Sequence, residues 1–296
     1  MYQCNSFDVF YGRTLQTLLN TEPSFNQRTG KMVHELHGLV YECVGGMPLL
    51  TLRDINVKFF VAETLWNLAG RSDLEFMHLA GLKGWDQFAD KNGIVESAYG
   101  RRWRKTFSYY QNKKPIIRDQ LADLLRGLKA DKSTRHGVLL AWNPAMDGLG
   151  RPKAPNIPCV LAWHFCIMHG ALVLTVLQRS ADMVVGYPHD VAGAHLLGQL
   201  VAQFLRVPFN RMVYMVSNAH IYEDHYTQAY EMVERLHSNT INETLPKVTF
   251  KKIYLKGILK NGSDTTKLLD IFSKVWLDVQ MVYSPLPALK GMVIIP

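Results

Sequence analysis

Three clusters along the chain hold side chains with usable chemistry. Pro158-Cys159 opens an apolar stretch. A thiolate there would be a nucleophile, but burial among apolar neighbours keeps a thiol protonated, so attack requires a nearby cation. Gln178-Arg179-Ser180-Ala181-Asp182 offers one. A guanidinium beside a hydroxyl forms a fork for phosphate oxygens, although taken alone an Arg-Ser pair at a strand end reads equally as a solvated turn. In Ala219-His220-Ile221-Tyr222-Glu223-Asp224-His225, His220 and Tyr222 share a face if the chain is extended. That pair could hold a sugar hydroxyl, or simply hydrogen-bond within the fold.

The elements that must position these groups follow from hydrophobic patterning. Cys159 to Leu177 contains no Asp, Glu, Lys or Arg over 19 residues, about the length of a membrane span. His164, His169 and Gly170 interrupt it, and Val160–Trp163 and Leu172–Val176 are rich in strand formers. The segment is therefore expected to be two buried strands joined by a turn at Met168-His169-Gly170-Ala171 in a soluble protein. Helical periodicity marks Ile55–Ala69, Ile117–Leu128 and Val191–Leu205. Val138–Trp142, Met212–Val216 and Lys247–Phe250 read as further strands. Strands interspersed with helices, without a linker or internal repeat, predict one α/β (α+β) domain over 1–296. The apolar, proline-bearing tail Tyr283–Pro296 is expected to dock on the body of the protein.

Composition excludes several classes. At 48% hydrophobic and 11% aromatic residues, the chain cannot be disordered. Four cysteines, at 4, 43, 159 and 166, lack metal-ligand spacing and fit a reducing, cytoplasmic compartment. The start, Met1-Tyr2-Gln3-Cys4-Asn5, does not read as a signal peptide. The 33 basic and 25 acidic residues give a net charge of +8, which suits nucleic acid, a membrane surface, or a small polyanion held by a few arginines.

Taken in order, Arg28-Thr29-Gly30, Glu63-Thr64-Leu65-Trp66, Trp85-Asp86, Tyr99-Gly100, Pro158-Cys159, Gln178–Asp182, Gly186-Tyr187-Pro188, His220-Ile221-Tyr222 and Lys290-Gly291-Met292-Val293 resemble the thymidylate synthase superfamily from about Arg28 to Pro296. The resemblance implies a large mixed sheet packed with helices, in a sheet-backed homodimer. It implies a cysteine thiolate, here Cys159, that attacks C6 of a pyrimidine nucleotide. C5 would then take the one-carbon unit of 5,10-methylenetetrahydrofolate, used as cosubstrate without a metal. Glu63 and Tyr99 would join Cys159 as catalytic residues. Arg28, Arg179 and Ser180 would bind the 5′-phosphate, His220 and Tyr222 the 3′-hydroxyl, and Gln178 the nucleotide. From the partner subunit the family supplies two adjacent arginines to the phosphate; here they read Arg135-His136. Trp85, Asp182, Gly186, Arg53 and Lys290 would lie along the folate, with Phe88 where synthases usually carry a second Trp.

Two departures bear on the base. Synthases acting on dUMP carry Asn at the position of Asp190, and His at that of Val160. An Asn amide donates to uracil O4 and accepts from N3–H. Cytosine inverts both groups, and a carboxyl sharing one proton with N3 while accepting from the N4 amino group complements it. Some phage dCMP hydroxymethylases also carry Asp there. The resemblance thus implies a dCMP hydroxymethylase, with Asp190 both in the base site and in the chemistry, and a host cytoplasm if the chain is phage-encoded. The lid-like tail keeps a dCMP methyltransferase open as an alternative, as are the same chemistry on CMP or dUMP and an idle nucleotide- or RNA-binding relative. With nucleotide and folate both anionic, the +8 charge needs neither nucleic acid nor membrane.

Overall fold

The computed structural model describes residues 2–3, 6–149, 156–239, 244–250 and 253–295. Cys4, Lys251, Lys252 and Pro296 lie outside them. The strands are β1 (Tyr2–Gln3), β2 (Ser24–Asn26), β3 (Lys31–Val44), β4 (Ser108–Gln111), β5 (Lys114–Ile117), β6 (Gly137–Leu140), β7 (Val160–Met168), β8 (Ala171–Asp182) and β9 (Phe209–Tyr222). The helices are α1 (Phe7–Leu19), α2 (Val57–Leu68), α3 (Glu75–Leu79), α4 (Tyr99–Arg101), α5 (Gln120–Ala130), α6 (Pro144–Asp147), α7 (Tyr187–Leu205), α8 (Tyr226–Ser238), α9 (Tyr254–Asn261) and α10 (Thr265–Gln280).

The main sheet runs β1-β3-β9-β8-β7-β6, with β2 on β3, and β4 and β5 form a separate hairpin. Its pairs are mixed: β8–β9 is parallel, whereas β3–β9, β7–β8 and β6–β7 are antiparallel. The expected mixed α/β architecture is what forms. The charge-free stretch after Cys159 is the β7–β8 hairpin. Its two turn residues, His169 and Gly170, have φ of 50° and 78°, the primed-turn geometry that matches strand twist. Among the described residues no helix is long and apolar enough to cross a membrane.

Local signals set the helix bounds. Asn56 caps α2 by accepting from the Phe59 N–H, and Asp119 caps α5 by accepting from the Ala122 N–H. Helix α5 therefore starts later than the periodicity predicts, and Ile117 ends β5 instead. Lys247–Phe250, expected as a strand, joins no sheet. The Gln199 and Gln203 side chains of α7 donate to the Val248 and Phe250 carbonyls (3.5 and 2.9 Å), satisfying them in place of a ladder.

One face of the sheet packs on α7, with Leu172, Leu174, Val176, Met212 and Tyr214 buried in a core that includes Val191, Leu196 and Leu200. The opposite face leaves Val138, Leu140, Leu177 and Met215 exposed. The tail docks as expected: the Leu286 N–H donates to the Thr51 carbonyl (2.8 Å), and the buried Tyr283 hydroxyl bonds the Leu50 and Arg53 carbonyls. Near the site, Gly100 is required by close approach, since a Cβ there would stand 2.4 Å from the Asn67 carbonyl oxygen of α2.

Candidate active site

Cys159 stands immediately before β7. The pairing of β7 with β8 shifts register between Val160 and Ala162, a bulge that re-aims the start of the strand. The Arg179 N–H donates to the Cys159 carbonyl (2.8 Å), so strand pairing itself sets the two residues side by side. The Arg179 guanidinium folds back onto the Pro158 and Ile157 carbonyls (3.0 and 3.1 Å) and lies 3.9 Å from the Cys159 sulfur. Burial pushes the thiol up; Arg179 opposes this, the Asp190 carboxyl adds to it, and Arg28 opposes it again. The Cys159 sulfur and the Arg179 guanidinium are thus brought together.

Arg28, far away in sequence, donates to the Tyr222 hydroxyl (3.2 Å). Tyr222 meets His220 edge-on with ring centroids 4.8 Å apart. A relay orients His220. Asn218 Nδ2 donates to Glu35 (3.0 Å), which leaves its Oδ1 to accept from His220 Nδ1 (2.9 Å). The proton is therefore on Nδ1, and Nε2 is an acceptor suited to a hydroxyl donor. Burial holds His220 below its usual range despite Asp182 and Glu35.

A second group surrounds Asp190 in the first turn of α7. Its Oδ2 accepts from Gln178 Nε2 (2.9 Å), and Gln178 Oε1 accepts from the Tyr214 hydroxyl (2.6 Å). Burial pushes the Asp190 carboxyl up to about 7, opposed by the Gln178 bond and reinforced by Asp182. Glu63 of α2 is pushed up to about 8 by burial and by Asp190, partly offset by the Trp85 indole. Trp85 packs on Trp66 and Phe88, with centroids at 5.8 and 5.5 Å. The Tyr99 hydroxyl accepts from the Val160 N–H (3.1 Å), tying α4 to the residue after the cysteine. Asp182 Oδ1 caps the following turn by accepting from the Val184 and Val185 N–H groups (2.9 and 3.2 Å), and Gly186 in that turn donates to the Asp182 carbonyl (3.1 Å).

Two acids held near 7 and 8 carry a stability signature. An acid whose native pKa is raised binds its proton more tightly when folded. It costs nothing below the ordinary carboxylate range and destabilises as pH rises from there toward the native value. Glu63→Gln is therefore expected to melt roughly 2–6 °C above wild type at pH 8 and level with it at pH 4.5, while turnover falls. Calorimetry at the two pH values checks this; an equal shift at both would defeat it.

Two cavities flank this centre, and Cys159 lines neither. One of about 690 Å³ is bordered by Arg28, Thr29, Lys31, Asp224 and tail residues Gly291, Val293 and Ile295. The other, about 510 Å³, is bordered by Arg53, Lys58, His189, Trp276 and Met292 among others. Arg53 is largely turned inward, donating to the Val184 carbonyl (2.7 Å). The Lys290 side chain is exposed, and its backbone carbonyl accepts from Gln228 (3.0 Å). Arg135 and His136 are also exposed, and the Arg135 carbonyl bonds His164 (3.0 Å). Ser180 contributes its backbone carbonyl to Gln178 Nε2 (2.9 Å). Among the described residues no His, Cys, Asp and Glu cluster could hold a metal ion.

Several participants escaped the sequence reading. Tyr214 and Asn218 sit in an alternating strand where they look like packing. His225 is wholly buried; its Nε2 accepts from the Val293 N–H of the tail (3.4 Å) and its Nδ1 lies 3.9 Å from Asp182. Its place three residues after Tyr222 was the only hint.

The family model of thymidylate synthase matches residues 10–270, from within α1 to the first turns of α10. Members of that family carry out folate-dependent one-carbon transfer to C5 of a pyrimidine nucleotide. A cysteine paired with an arginine, beside two acids of raised pKa and an oriented histidine, is a site suited to that chemistry. The chain belongs to the thymidylate synthase family.

Proposed function

We propose that this protein is a dCMP hydroxymethylase, transferring the one-carbon unit of 5,10-methylenetetrahydrofolate to C5 of dCMP and releasing 5-hydroxymethyl-dCMP. The observation that carries this reading is Asp190, in place of a neutral amide, with its carboxyl pushed up to about 7. A carboxyl half-protonated near neutral pH donates from one oxygen and accepts at the other. Cytosine offers the complement, an acceptor at N3 and a donor at N4. Uracil presents the opposite order, and its O4 would oppose a carboxylate oxygen.

On this reading the roles divide as follows. Arg28, Arg179 and Ser180 bind the 5′-phosphate, and His220 with Tyr222 takes the 3′-hydroxyl. Arg179 also stabilises the Cys159 thiolate for attack at C6, which makes C5 nucleophilic. The folate supplies an electrophilic one-carbon unit, and its departure as tetrahydrofolate leaves an exocyclic methylene on C5 of the nucleotide. Glu63, a proton store near neutral pH, organises water beside the base. The departure of tetrahydrofolate follows loss of the C5 proton; addition of hydroxide to the methylene then returns an electron pair to C5, which forms the C5–C6 double bond as the C6–S bond breaks, releasing Cys159 and the hydroxymethyl product. Tyr99 fixes the backbone after the nucleophile. Val160, where dUMP enzymes have His, and Phe88, where they have Trp, change the surroundings of the methylene and favour water over hydride.

The cavity holding Arg53, Lys58 and Trp276 suits a flat aromatic molecule ending in carboxylates; Trp85, Asp182 and Gly186 are assigned to the same folate site. Lys290 would join it on tail closure. The uncovered apolar sheet face is the surface for a second copy of this one-domain chain, with Arg135 reaching the partner's phosphate site.

Incubation with dCMP and methylenetetrahydrofolate is expected to add 30 Da to the nucleotide and to release tetrahydrofolate, read by mass spectrometry and absorbance (about 30 Da is one CH2O unit, by the balance above). A gain of one CH2 unit with dihydrofolate would make it a methyltransferase instead. Product from dUMP alone would overturn the base assignment.

A further inference from the structure

The geometry points to Tyr214 as a specificity-determining positioning residue, which sets the donor–acceptor order that Asp190 presents to the base through the amide of Gln178. The inference rests on the proposed base-reading role of Asp190. Tyr214 is fully buried on β9 and packs edge-on against Tyr187, with centroids 5.7 Å apart. Its hydroxyl has one proton, and it donates that proton to Gln178 Oε1 at 2.6 Å.

That bond decides which way the Gln178 amide points. With Oε1 facing Tyr214, Nε2 donates one hydrogen to the Ser180 carbonyl and the other to Asp190 Oδ2, both at 2.9 Å. Gln178 is buried, so a reversed amide could not turn to water for compensation. Reversal would set its oxygen against the Ser180 carbonyl and against Asp190, two acceptor–acceptor contacts. The Tyr214 bond is a third term on the same side.

The consequence falls on Asp190. Oδ2 accepts from an amide N–H, so it cannot also carry the carboxyl proton toward that neighbour. When Asp190 is protonated, the proton is on Oδ1. The carboxyl therefore shows a ligand one fixed order of donor and acceptor and never its mirror image. A pyrimidine edge matching that order is bound with both hydrogen bonds made; one with the reversed order leaves two like groups opposed. A lone Asp would accept either order by moving its proton, so the discrimination resides in the relay as much as in Asp190.

The test is the ratio of kcat/KM for dCMP over dUMP in Tyr214→Phe. The ratio is expected to fall about tenfold, the loss of one buried hydrogen bond's worth of preference. Ribose 5-phosphate, which has no base, should inhibit wild type and variant with the same constant. Gln178→Met should collapse the ratio further, and the double variant should be no worse than Gln178→Met alone, because the two residues act as one unit. Should Tyr214→Phe fail to fold, an unchanged ratio in Gln178→Met overturns the relay on its own. Equal losses on both nucleotides, with the ratio preserved, would mark Tyr214 as merely structural and also overturn it. A wild type that prefers dUMP, with a ratio that still collapses toward one in the variants, would overturn the cytosine assignment and leave the relay standing.

Discussion

Replacing Cys159 by Ser is expected to abolish turnover, by at least roughly 10⁴-fold in kcat, while leaving dCMP binding within a few-fold of wild type. The argument begins with the thiol's surroundings. Burial pushes it up, and what counters burial is the pair of guanidiniums, Arg179 first and then Arg28. Those cations favour the thiolate without fully offsetting burial, and an alcohol, far less acidic than a thiol, stays protonated under the same field. On the proposed binding mode, binding survives because the phosphate and sugar contacts come from Arg28, Arg179, His220 and Tyr222, of which only Arg179 touches the sulfur, at 3.9 Å. Equilibrium dialysis with dCMP and a single-turnover assay separate the two. Turnover in Cys159→Ser within tenfold of wild type would rule out attack by Cys159.

Local patterns make much of this legible in the sequence. The β7–β8 hairpin was visible because its residues are strand formers and its break falls at His169-Gly170, two residues able to adopt positive φ. Arg179 was visible as the partner of Cys159 because antiparallel pairing folds one strand back beside the other. What stayed hidden depends on relations the chain does not display locally. The length of β3 is masked by Gly38, whose φ of 77° interrupts the alternation. Lys247–Phe250 has a strand's composition, but glutamine side chains of α7 take up its carbonyls, and composition cannot report that. Tyr214 looks like any aromatic residue on the inner face of a strand; only its hydroxyl's distance to Gln178 gives it a role. Arg53 was expected as a cation near the folate, and its main hydrogen bond runs instead to a backbone carbonyl, leaving an edge of the guanidinium on the cavity.

Asp190→Asn is expected to reverse base preference, lowering kcat/KM for dCMP and raising it for dUMP, so that their ratio moves by roughly 10²–10³-fold. Unlike the carboxyl, the amide suits uracil when it turns over about Cβ–Cγ, giving up the Gln178 hydrogen bond and the order that bond imposes. Its NH2 then suits uracil O4, and its oxygen suits N3–H. Two mismatched contacts replaced by two matched ones, each worth 1–3 kcal/mol or so, give a change of that size. The substitution also has a pH consequence that separates it from general damage. On the proposed reading the neutral form of wild-type Asp190 fits cytosine, so kcat/KM for dCMP is expected to fall as pH rises through about 7. The Asn variant has no proton to lose there, so the step set by Asp190 is missing from its profile on dUMP. Asp190 also raises Glu63 from its ordinary range, so removing the charge lowers Glu63 and moves any remaining pH dependence to more acidic values. Activity on both nucleotides measured from pH 6 to 9 checks all three effects together. A variant that still prefers dCMP, with its profile unmoved, would place the reading of the base elsewhere than at Asp190.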